Sequence, residues 1–391
     1  MYSISMKRDL YVQIMEKIET PEVLIVTGMR RVGKTTLLTQ VQKSLPSQNS
    51  LFLDLENVLN RAIFEKQNYE EIVGILLSQG LNRNEKIYLF LDEIQHCPQI
   101  PSVLKYIVDH YQWKCFVTGS ASYYIKNLFT ESLAGRKILF ELYPFSFSEF
   151  LRLKEIDITL PPLKQTISVE QYNLLIPYYR EYMAYGGFPG VIMKSSSQDK
   201  KQALQDIFSS YFQQEVVSFG GFRRNDKIRD LLLLLASRVG SKIDISKISF
   251  EMGISRITIE EYLSFLQATY MITLISPYSK NRDTEIRKAK KVYFCDTGIL
   301  TSLGMEDKGK LFENAIFHQL RTQGELNYYQ KKSGAEIDFI VNKKIAFEVK
   351  NHVSPIDVTK TNTLATSIQM TQIELVSHEF TSAHAVYGFQ I

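Results

Sequence analysis

The chain has 391 residues, of which 45% are hydrophobic and 23% charged, and it carries a net charge of +4. This length exceeds what one hydrophobic core usually supports, so two or three domains are expected, and the composition is typical of a globular protein. The mild positive charge neither requires nor excludes a nucleic-acid partner. The N-terminus lacks an apolar signal core, and the longest apolar run, 231–236, is too short to span a bilayer. These features predict a cytoplasmic protein with no membrane contact.

The first chemical motif is a phosphate-binding loop within Glu22–Leu38, EVLIVTGMRRVGKTTLL. An apolar strand leads into G-x-x-x-x-G-K-[ST], and a helix follows. The glycines let backbone N–H groups surround a β-phosphate at the positive end of that helix. A lysine then reaches the β- and γ-phosphates, and a threonine hydroxyl can ligate Mg²⁺. The residues assigned to the bound nucleotide, ATP or GTP, are Gly28, Arg30, Arg31, Val32, Gly33, Lys34, Thr35 and Thr36.

Two further apolar strands end in residues suited to the same site. Residues 86–93, KIYLFLDE, end in Asp92, predicted to hold Mg²⁺, and Glu93, predicted to activate the attacking water. The alternative is a strand that merely ends in solvated acids. Residues 114–119, KCFVTG, lead to Ser120, which is expected to touch the γ-phosphate or the water.

The role of Arg136 is open at this stage. It could sense the γ-phosphate of its own chain, act as a finger on a neighbouring subunit of a homo-oligomer, or be a solvated surface residue.

Strands and helices alternate through the first ~150 residues, which predicts a parallel sheet with sites at the carboxyl ends of its strands. The expected strands are 23–27, 51–55, 87–92, 115–118 and 137–142, and the expected helices are 35–43, 69–79 and 101–110. A further helix is expected to stop at Gly186–Gly187, and the polar segment 195–201 is expected to be a linker.

The middle of the chain has the layout of a winged helix-turn-helix. Helices are predicted at 227–239, 244–252 and 256–270, with a turn at Gly253, and two strands follow at 271–277 and 291–295. The third helix exposes Arg256 but also Glu260 and Glu261, which suit phosphates poorly. Basic residues concentrate instead in the wing segment: Lys280, Arg282, Arg287, Lys288, Lys290 and Lys291. They could contact DNA phosphates, or they could form a solvated loop.

Residues 336–350, EIDFIVNKKIAFEVK, alternate as a hairpin around a turn at 342–344. If Val341 pairs with Ile345, then Asp338 lies opposite Glu348, and Glu336 opposite Lys350, on one polar face. The other face is entirely apolar. Directly opposed carboxylates about 5 Å apart destabilise a sheet unless a cation compensates them.

A shared divalent cation, Mg²⁺ or Mn²⁺, would supply that compensation. An Asp followed by Glu-x-Lys on the next strand is the arrangement of the PD-(D/E)xK nucleases. Here the acids would be Asp338 and Glu348, with Lys350 beside the water and Glu313 as an added acid from the preceding helix. Glu-x-Lys is also common by chance, so a structural role is the alternative. His318 is expected to be a packing residue.

Taken together, the motifs resemble a prokaryotic family of AAA+/STAND-like P-loop ATPases with a C-terminal domain of unknown function. The matching segments are GMRRVGKTTLL, FLDEIQ, VTGSAS, LAGRKILFELYPFSFSEF, YGGFPGVI, KVYFCDTGIL, LFENAIFHQL and GAEIDFIV with FEVK. The resemblance implies an α/β ATPase domain at 1–200, a helical winged-helix domain at 201–300 and a small α/β endonuclease-like domain at 301–391.

Two functions fit this sequence. The first is an ATP-hydrolysing protein that acts on DNA, with a metal-dependent nuclease-like site. The second is a nucleotide-controlled regulatory or scaffold ATPase whose nuclease-like domain is inactive.

Overall fold

The computed structural model describes residues 6–119, 133, 135–222, 224–279, 288–331 and 333–391. It divides into two compact units. The first contains Met1–Tyr143 together with Ala268–Tyr270, and the second contains Pro144–Gln267 and Met271–Ile391. Each unit is built around its own β-sheet.

The first unit is a five-stranded parallel sheet with the order β2-β3-β4-β1-β5. Its strands are β1 (Val23–Thr27), β2 (Ser50–Asp54), β3 (Tyr88–Asp92), β4 (Lys114–Gly119) and β5 (Lys137–Glu141). β1, β3 and β4 are buried at every position because they lie inside the sheet and are covered on both faces. The predicted strands and their parallel arrangement are confirmed.

One helix, α1 (Asp9–Met15), precedes the first strand. The helices that connect the strands are α2 (Lys34–Lys43), α3 (Val58–Phe64), α4 (Tyr69–Ser78) and α5 (Ile100–Tyr111). The sequence pattern missed α1 and α3, each of 7 residues. In α3 the apolar pair Val58 and Leu59 is exposed, so no apolar stripe marks the helix. Its start is fixed by Asn57, whose side chain accepts a hydrogen bond from the Leu59 N–H.

Helices dominate the start of the second unit. They are α6 (Phe147–Leu153), α7 (Val169–Tyr185), α8 (Pro189–Ile192), α9 (Ser197–Tyr211), a π-helical segment (Phe212–Phe219), α10 (Asn225–Ser237), α11 (Ile245–Met252) and α12 (Arg256–Ala268). The linker predicted at 195–201 is wrong. Ser196 caps α9 by accepting a hydrogen bond from the Asp199 N–H, so the polar residues there form a helix start.

A mixed seven-stranded sheet completes the second unit, with the order β12-β11-β10-β9-β8-β6-β7. Its strands are β6 (Ile272–Pro277), β7 (Lys291–Phe294), β8 (Leu326–Gln330), β9 (Glu336–Val341), β10 (Ile345–Lys350), β11 (Gln372–Ser377) and β12 (Val386–Tyr387). The helices α13 (Thr297–Ser302), α14 (Lys308–Leu320) and α15 (Pro355–Ser367) lie between them in the chain.

The predicted helix–turn–helix and the antiparallel strand pair after it are present, with Gly253 in the left-handed conformation at the turn. However, β6 also pairs in parallel with β8. The strand pair predicted as a wing is therefore continuous with the C-terminal sheet. Among the described helices, none combines the length and apolar character needed to cross a membrane.

Asp296 joins the two segments that contain YGGFPG and CDTGIL. Its buried carboxylate accepts hydrogen bonds from the N–H groups of Gly187 (2.7 Å), Gly298 (2.8 Å) and Ile299 (3.2 Å). A Cβ atom on Gly186 would lie 1.9 Å from the same carboxylate. These glycines thus permit a close approach of two segments that one acid holds together.

We expect Asp296→Ala to lower the free energy of unfolding by about 3 kcal/mol, because buried N–H groups lose their acceptor. Urea unfolding of the full chain measures this change. Asp307→Ala is the matched control, since Asp307 also caps a helix but its hydrogen bonds are exposed. Asp307→Ala should lower the free energy of unfolding by about 1 kcal/mol. Equal losses in the two variants would contradict the role assigned to Asp296.

Candidate nucleotide site and carboxylate cluster

The loop between β1 and α2 has the backbone of a phosphate cradle. Gly28 has a φ of 154°, and a Cβ atom there would lie 2.1 Å from the Leu142 carbonyl oxygen, so only glycine fits. Gly33 has a φ of 99° and precedes α2 directly. The loop therefore delivers its backbone to the positive N-terminal end of α2.

Lys34 and Thr35 lie at that helix start. Lys34 is only 4% exposed, and its ammonium donates hydrogen bonds to the carbonyl oxygens of Gly28 (3.2 Å) and Met29 (3.1 Å). The Lys34 side chain therefore folds back onto the loop. The Thr35 hydroxyl donates a 2.6 Å hydrogen bond to Asp92 Oδ2, which joins the end of β3 to the loop.

Asp92 and Glu93 differ sharply in environment. Asp92 is 3% exposed, burial raises the pKa of its carboxyl group, and Thr118 on β4 donates a second hydrogen bond to it. Glu93 takes a left-handed conformation with a φ of 56°, while its N–H donates to the Thr118 hydroxyl at 3.1 Å. Gln95 donates to the Glu93 carboxylate. Two hydroxyl groups thus hold the Asp92 carboxylate beside the loop, whereas Glu93 lies just after the strand in a left-handed conformation.

The structure places the other predicted loop residues as follows. Val32 is buried, Arg30 is half-buried, and Arg31 and Thr36 are exposed. Ser120 lies outside the described residues.

Sequence reasoning missed Arg8 and Thr118. The Arg8 guanidinium is buried and donates hydrogen bonds to the carbonyl oxygens of Val32 (2.9 Å) and Tyr143 (2.7 Å). It therefore links the phosphate loop to Tyr143. Thr118 was detectable as a polar residue inside a buried strand. No sequence pattern marked Arg8, because its partners are backbone atoms far away in the chain.

Tyr270 is a third missed residue near the loop. Its hydroxyl donates to Glu141 Oε1 at 3.1 Å and lies 3.4 Å from the Thr27 hydroxyl. Thr27 and Glu141 end β1 and β5, so Tyr270 lies at the sheet edge that carries the phosphate loop. Its own φ of 65° is unusual for an aromatic residue.

Arg136 cannot sense a γ-phosphate of its own chain. It immediately precedes β5, so it lies at the amino edge of a parallel sheet whose carboxyl edge carries the loop. A strand of this length separates the two edges by about 15 Å. Arg136 instead binds Asp109 Oδ1 at 2.8 Å. Its action on a neighbouring subunit stays a prediction.

The second constellation is a buried cluster of acids around Lys291. The ammonium of Lys291 contacts Glu336, lies 3.3 Å from Asp338 Oδ1 and lies 3.6 Å from Glu313 Oε1. Its side chain is 2% exposed. Burial alone would lower the pKa of Lys291, but the Asp338, Glu313 and Glu336 carboxylates outweigh burial and raise it. Lys291 is therefore a permanent internal cation.

Glu348 and Lys350 adjoin this cluster. The predicted pairing of Val341 with Ile345 is confirmed, and Lys350 Nζ lies 2.7 Å from Glu348 Oε1. Burial, followed by the charge of Asp338, raises the pKa of Glu348 to about 8. The same two causes raise the pKa of Glu313 to about 7. The ammonium groups of Lys291 and Lys350 thus lie among these carboxylates.

Two details of the sequence interpretation are corrected by this geometry. Lys291 is not a wing residue available to phosphates, because it is buried among acids. The face that carries Asp338 and Glu348, which are 7% and 5% exposed, is not wholly polar: Ile340 and Ala346 share it and pack with residues of α15.

Within the described ranges, no group of three or more His, Cys, Asp and Glu side chains is arranged to hold a metal ion. The Lys291 ammonium supplies positive charge beside Asp338, one of the two carboxylates predicted to share a metal ion. The shared metal ion stays a prediction. His318 is buried, and one of its ring nitrogens lies 3.1 Å from the Phe294 carbonyl oxygen, as expected for packing.

We expect Lys291→Met to lower the free energy of unfolding by about 3–5 kcal/mol, because it leaves buried carboxylates without their cation. Lys288→Met is the control, because Lys288 is exposed and has no ion pair in the described part of the chain. Thermal and urea unfolding measure both variants. A loss below about 1 kcal/mol for Lys291→Met, within the range of surface pairs, would show that the cluster does not depend on this lysine.

Comparison with known proteins agrees with the first site. Residues 20–151 match the AAA domain family, residues 176–309 match a domain of unknown function (DUF8612), and residues 308–381 match another (DUF4143). The chain therefore carries a P-loop ATPase domain of the AAA type, followed by two domains of unknown function. The winged-helix and endonuclease-like assignments stay predictions.

Relatives extend over most of the chain. An uncharacterized protein of Haemophilus influenzae is 26% identical over 366 residues, covering 88% of this chain and 87% of the relative. One of Methanocaldococcus jannaschii is 29% identical over 332 residues, covering 82% of this chain and 72% of the relative. A solved Walker-type ATPase of Pyrococcus abyssi is 16% identical, with a TM-score of 0.47, and covers 77% of this chain and 96% of that one.

Proposed function

We propose that this chain is a Mg²⁺-dependent ATPase and that its C-terminal carboxylate cluster is structural, as in the regulatory alternative. The observation that carries the proposal is the Thr35–Asp92 hydrogen bond beside Lys34, at the carboxyl edge of a parallel sheet. It brings together a hydroxyl, a carboxylate and an ammonium at the start of a helix. ATP requires these groups and the N–H donors of that helix.

The donor set fits Mg²⁺. Asp92 and Thr35 offer hard oxygen ligands, and magnesium is commonly held by one or two protein oxygens together with phosphate oxygens and water. When bound, the ion would neutralise charge on the β- and γ-phosphates. Asp92, held by Thr118 and Thr35, would keep its oxygens oriented toward that position. Burial raises the pKa of Asp92, and a bound divalent cation would lower it.

Glu93 is the proposed base. It follows the metal ligand directly, and its left-handed backbone turns its carboxylate away from the strand direction. Gln95 holds that carboxylate by a hydrogen bond. A carboxylate in this position can accept a proton from water aligned with the γ-phosphate, while Lys34 stabilises charge on the phosphate oxygens.

The regulatory alternative is favoured over a metal-dependent nuclease by Lys291. A shared divalent ion between Asp338 and Glu348 would lie in a region already occupied by a buried ammonium that contacts Asp338, Glu313 and Glu336. Two cations at such short range repel each other strongly in a low-dielectric interior. The carboxylate cluster is thus compensated within the protein.

Both halves of the proposal are tested on one sample of full chain. We expect phosphate release from ATP with Mg²⁺ and its loss with EDTA. Supercoiled and single-stranded DNA should stay intact with Mg²⁺ or Mn²⁺. Cleavage that disappears in Asp338→Asn would restore the nuclease hypothesis, whereas absent phosphate release would remove the ATPase.

DNA remains a second candidate partner, because helix–turn–helix layouts often bind it. The exposed surface of α11 and α12 is unfavourable, however: it carries Phe250 (88% exposed), Ile257 (69%), Glu260 and Glu261. Of the six wing residues, Lys280, Arg282 and Arg287 lie outside the described residues, and Lys291 is buried. Lys288 and Lys290 are described and at least partly exposed.

If the wing binds DNA backbone, replacing Lys288 and Lys290 with Ala should weaken binding similarly on every sequence and reduce the salt dependence by about two charges. Fluorescence anisotropy at several salt concentrations measures this. Lys194→Ala with Lys201→Ala, two exposed lysines elsewhere in the second unit, is the charge-matched control. Identical DNA affinities for the parent protein and both double variants would show that the wing segment does not bind DNA.

A further inference from the structure

We propose that the second unit contains a separate binding site, in a crevice at the carboxyl ends of β10 and β11, for a small organic anion with an apolar body. The site is independent of the ATPase and of the Lys291 cluster. Three features of the crevice carry the proposal: its place in the sheet, its apolar floor, and an inner histidine with an unsatisfied nitrogen.

The first feature is position. β10 and β11 are parallel neighbours joined through α15, and Lys350 pairs with Ser377 at their ends. Asn351 and His378 follow these ends directly, and both line a crevice of about 590 Å³. Crevices outside the carboxyl ends of parallel strands are where open α/β sheets bind ligands. A volume of this size accommodates a small organic molecule.

The second feature is the floor. The floor of the crevice is formed by Met183 of α7, by Leu311 of α14 and by Met305, which precedes α14. All three residues are buried. Flexible thioether side chains adapt to varied apolar shapes. The floor is therefore suited to an alkyl or aromatic group.

The third feature is His378. The residue is 8% exposed, and its Nε2 atom is buried without a hydrogen-bond partner. Leaving such an atom unpaired is unfavourable, so a ligand atom that pairs with it gains affinity. Burial lowers the pKa of the ring, and the charge of Arg180 lowers it further, which favours the neutral imidazole. A neutral imidazole can offer one N–H to an acceptor.

Charged side chains surround the opening. Arg180 and Lys308 line it and have no ion-pair partner within the described part of the chain. Glu306 and Glu379 line it as well, and Glu379 lies 4.0 Å from His352 Nδ1. Both acids are exposed, as are both cations. Glu379 faces the His352 ring, whereas Arg180 and Lys308 both lie close enough to His378 to lower its pKa.

A ligand anion would therefore accept hydrogen bonds from His378 and Arg180 while its apolar body covers the methionines. A cationic group in the same place would meet the charges that keep the ring neutral. Carboxylates and phosphate monoesters share the required chemistry, and the test separates them.

The experiment uses full chain with ¹³C-methyl methionine, because two of its 10 methionines lie on the crevice floor. The probes are hexanoate, hexyl phosphate, hexylamine and 1-hexanol. We expect hexanoate or hexyl phosphate to shift the Met183 and Met305 signals saturably, with the tighter of the two identifying the anion. Hexylamine and hexanol should bind at least tenfold more weakly.

Variants localise the site. Arg180→Gln with Lys308→Gln should weaken anion binding at least tenfold, while Lys194→Gln with Lys201→Gln, which removes equal charge elsewhere, should leave it unchanged. Unshifted signals of the other methionines would show that both variants are folded. The proposal is overturned if hexylamine or hexanol binds as tightly as the anions, if neither anion shifts Met183 and Met305, or if Arg180→Gln with Lys308→Gln has no effect.

Discussion

Lys34→Ala is expected to lower kcat/KM for ATP by about 10³-fold or more, equivalent to about 4 kcal/mol. The side chain is buried over the phosphate loop, and its ammonium already contacts the Gly28 and Met29 carbonyl oxygens. It is thus positioned to move onto the β- and γ-phosphates. Phosphate release and fluorescent-nucleotide binding measure the loss.

Lys43→Ala is the matched control for this change. Lys43 ends the same helix and is exposed, so its removal alters the net charge equally without touching the loop. We expect its turnover and nucleotide affinity to match the parent protein. A similar loss in both variants would show that helix charge, and not the loop ammonium, accounts for the effect.

Glu93→Gln is expected to retain ATP binding and to lower kcat by about 10²–10⁴-fold. The amide has the same shape and can still accept the hydrogen bond from Gln95, but it cannot take a proton from water. Asp92 and Thr35 are unchanged, so the metal and the nucleotide should bind as before. Single-turnover phosphate release separates this chemical step from binding.

Glu56→Gln serves as the comparison, because Glu56 is exposed and follows the neighbouring strand β2 at the same sheet edge. It should hydrolyse ATP at the parental rate. Parental turnover in Glu93→Gln would mean that another group activates the water, and Asp92 would then be the first candidate to examine.

The sequence predicted the nucleotide site well because its chemistry is local. Gly28, Gly33, Lys34 and Thr35 occupy one short segment, and the strand ending in Asp92 and Glu93 is marked by a continuous apolar run. Arg8 and Tyr270 could not be found in this way. Their partners at the loop, Val32 and Thr27, lie 24 and 243 residues away in the chain.

The C-terminal carboxylate cluster shows what a local sequence pattern could not predict. Alternation predicted the hairpin and the pairing of Val341 with Ile345, and it placed Asp338 and Glu348 on one face. It could not predict which cation compensates them. Lys291 lies 47 residues from Asp338, and it looked like one of a run of surface lysines. Only the pairing of β6 with β8 brings its strand into the same sheet.

The ATPase mechanism is tested most directly by phosphate release from ATP by the full chain and by Glu93→Gln, each with Mg²⁺ and with EDTA. We expect turnover by the parent protein with Mg²⁺ alone. Glu93→Gln should bind nucleotide tightly and show little turnover. Turnover in EDTA, or equal turnover by the two proteins with Mg²⁺, would show that the proposed mechanism is wrong.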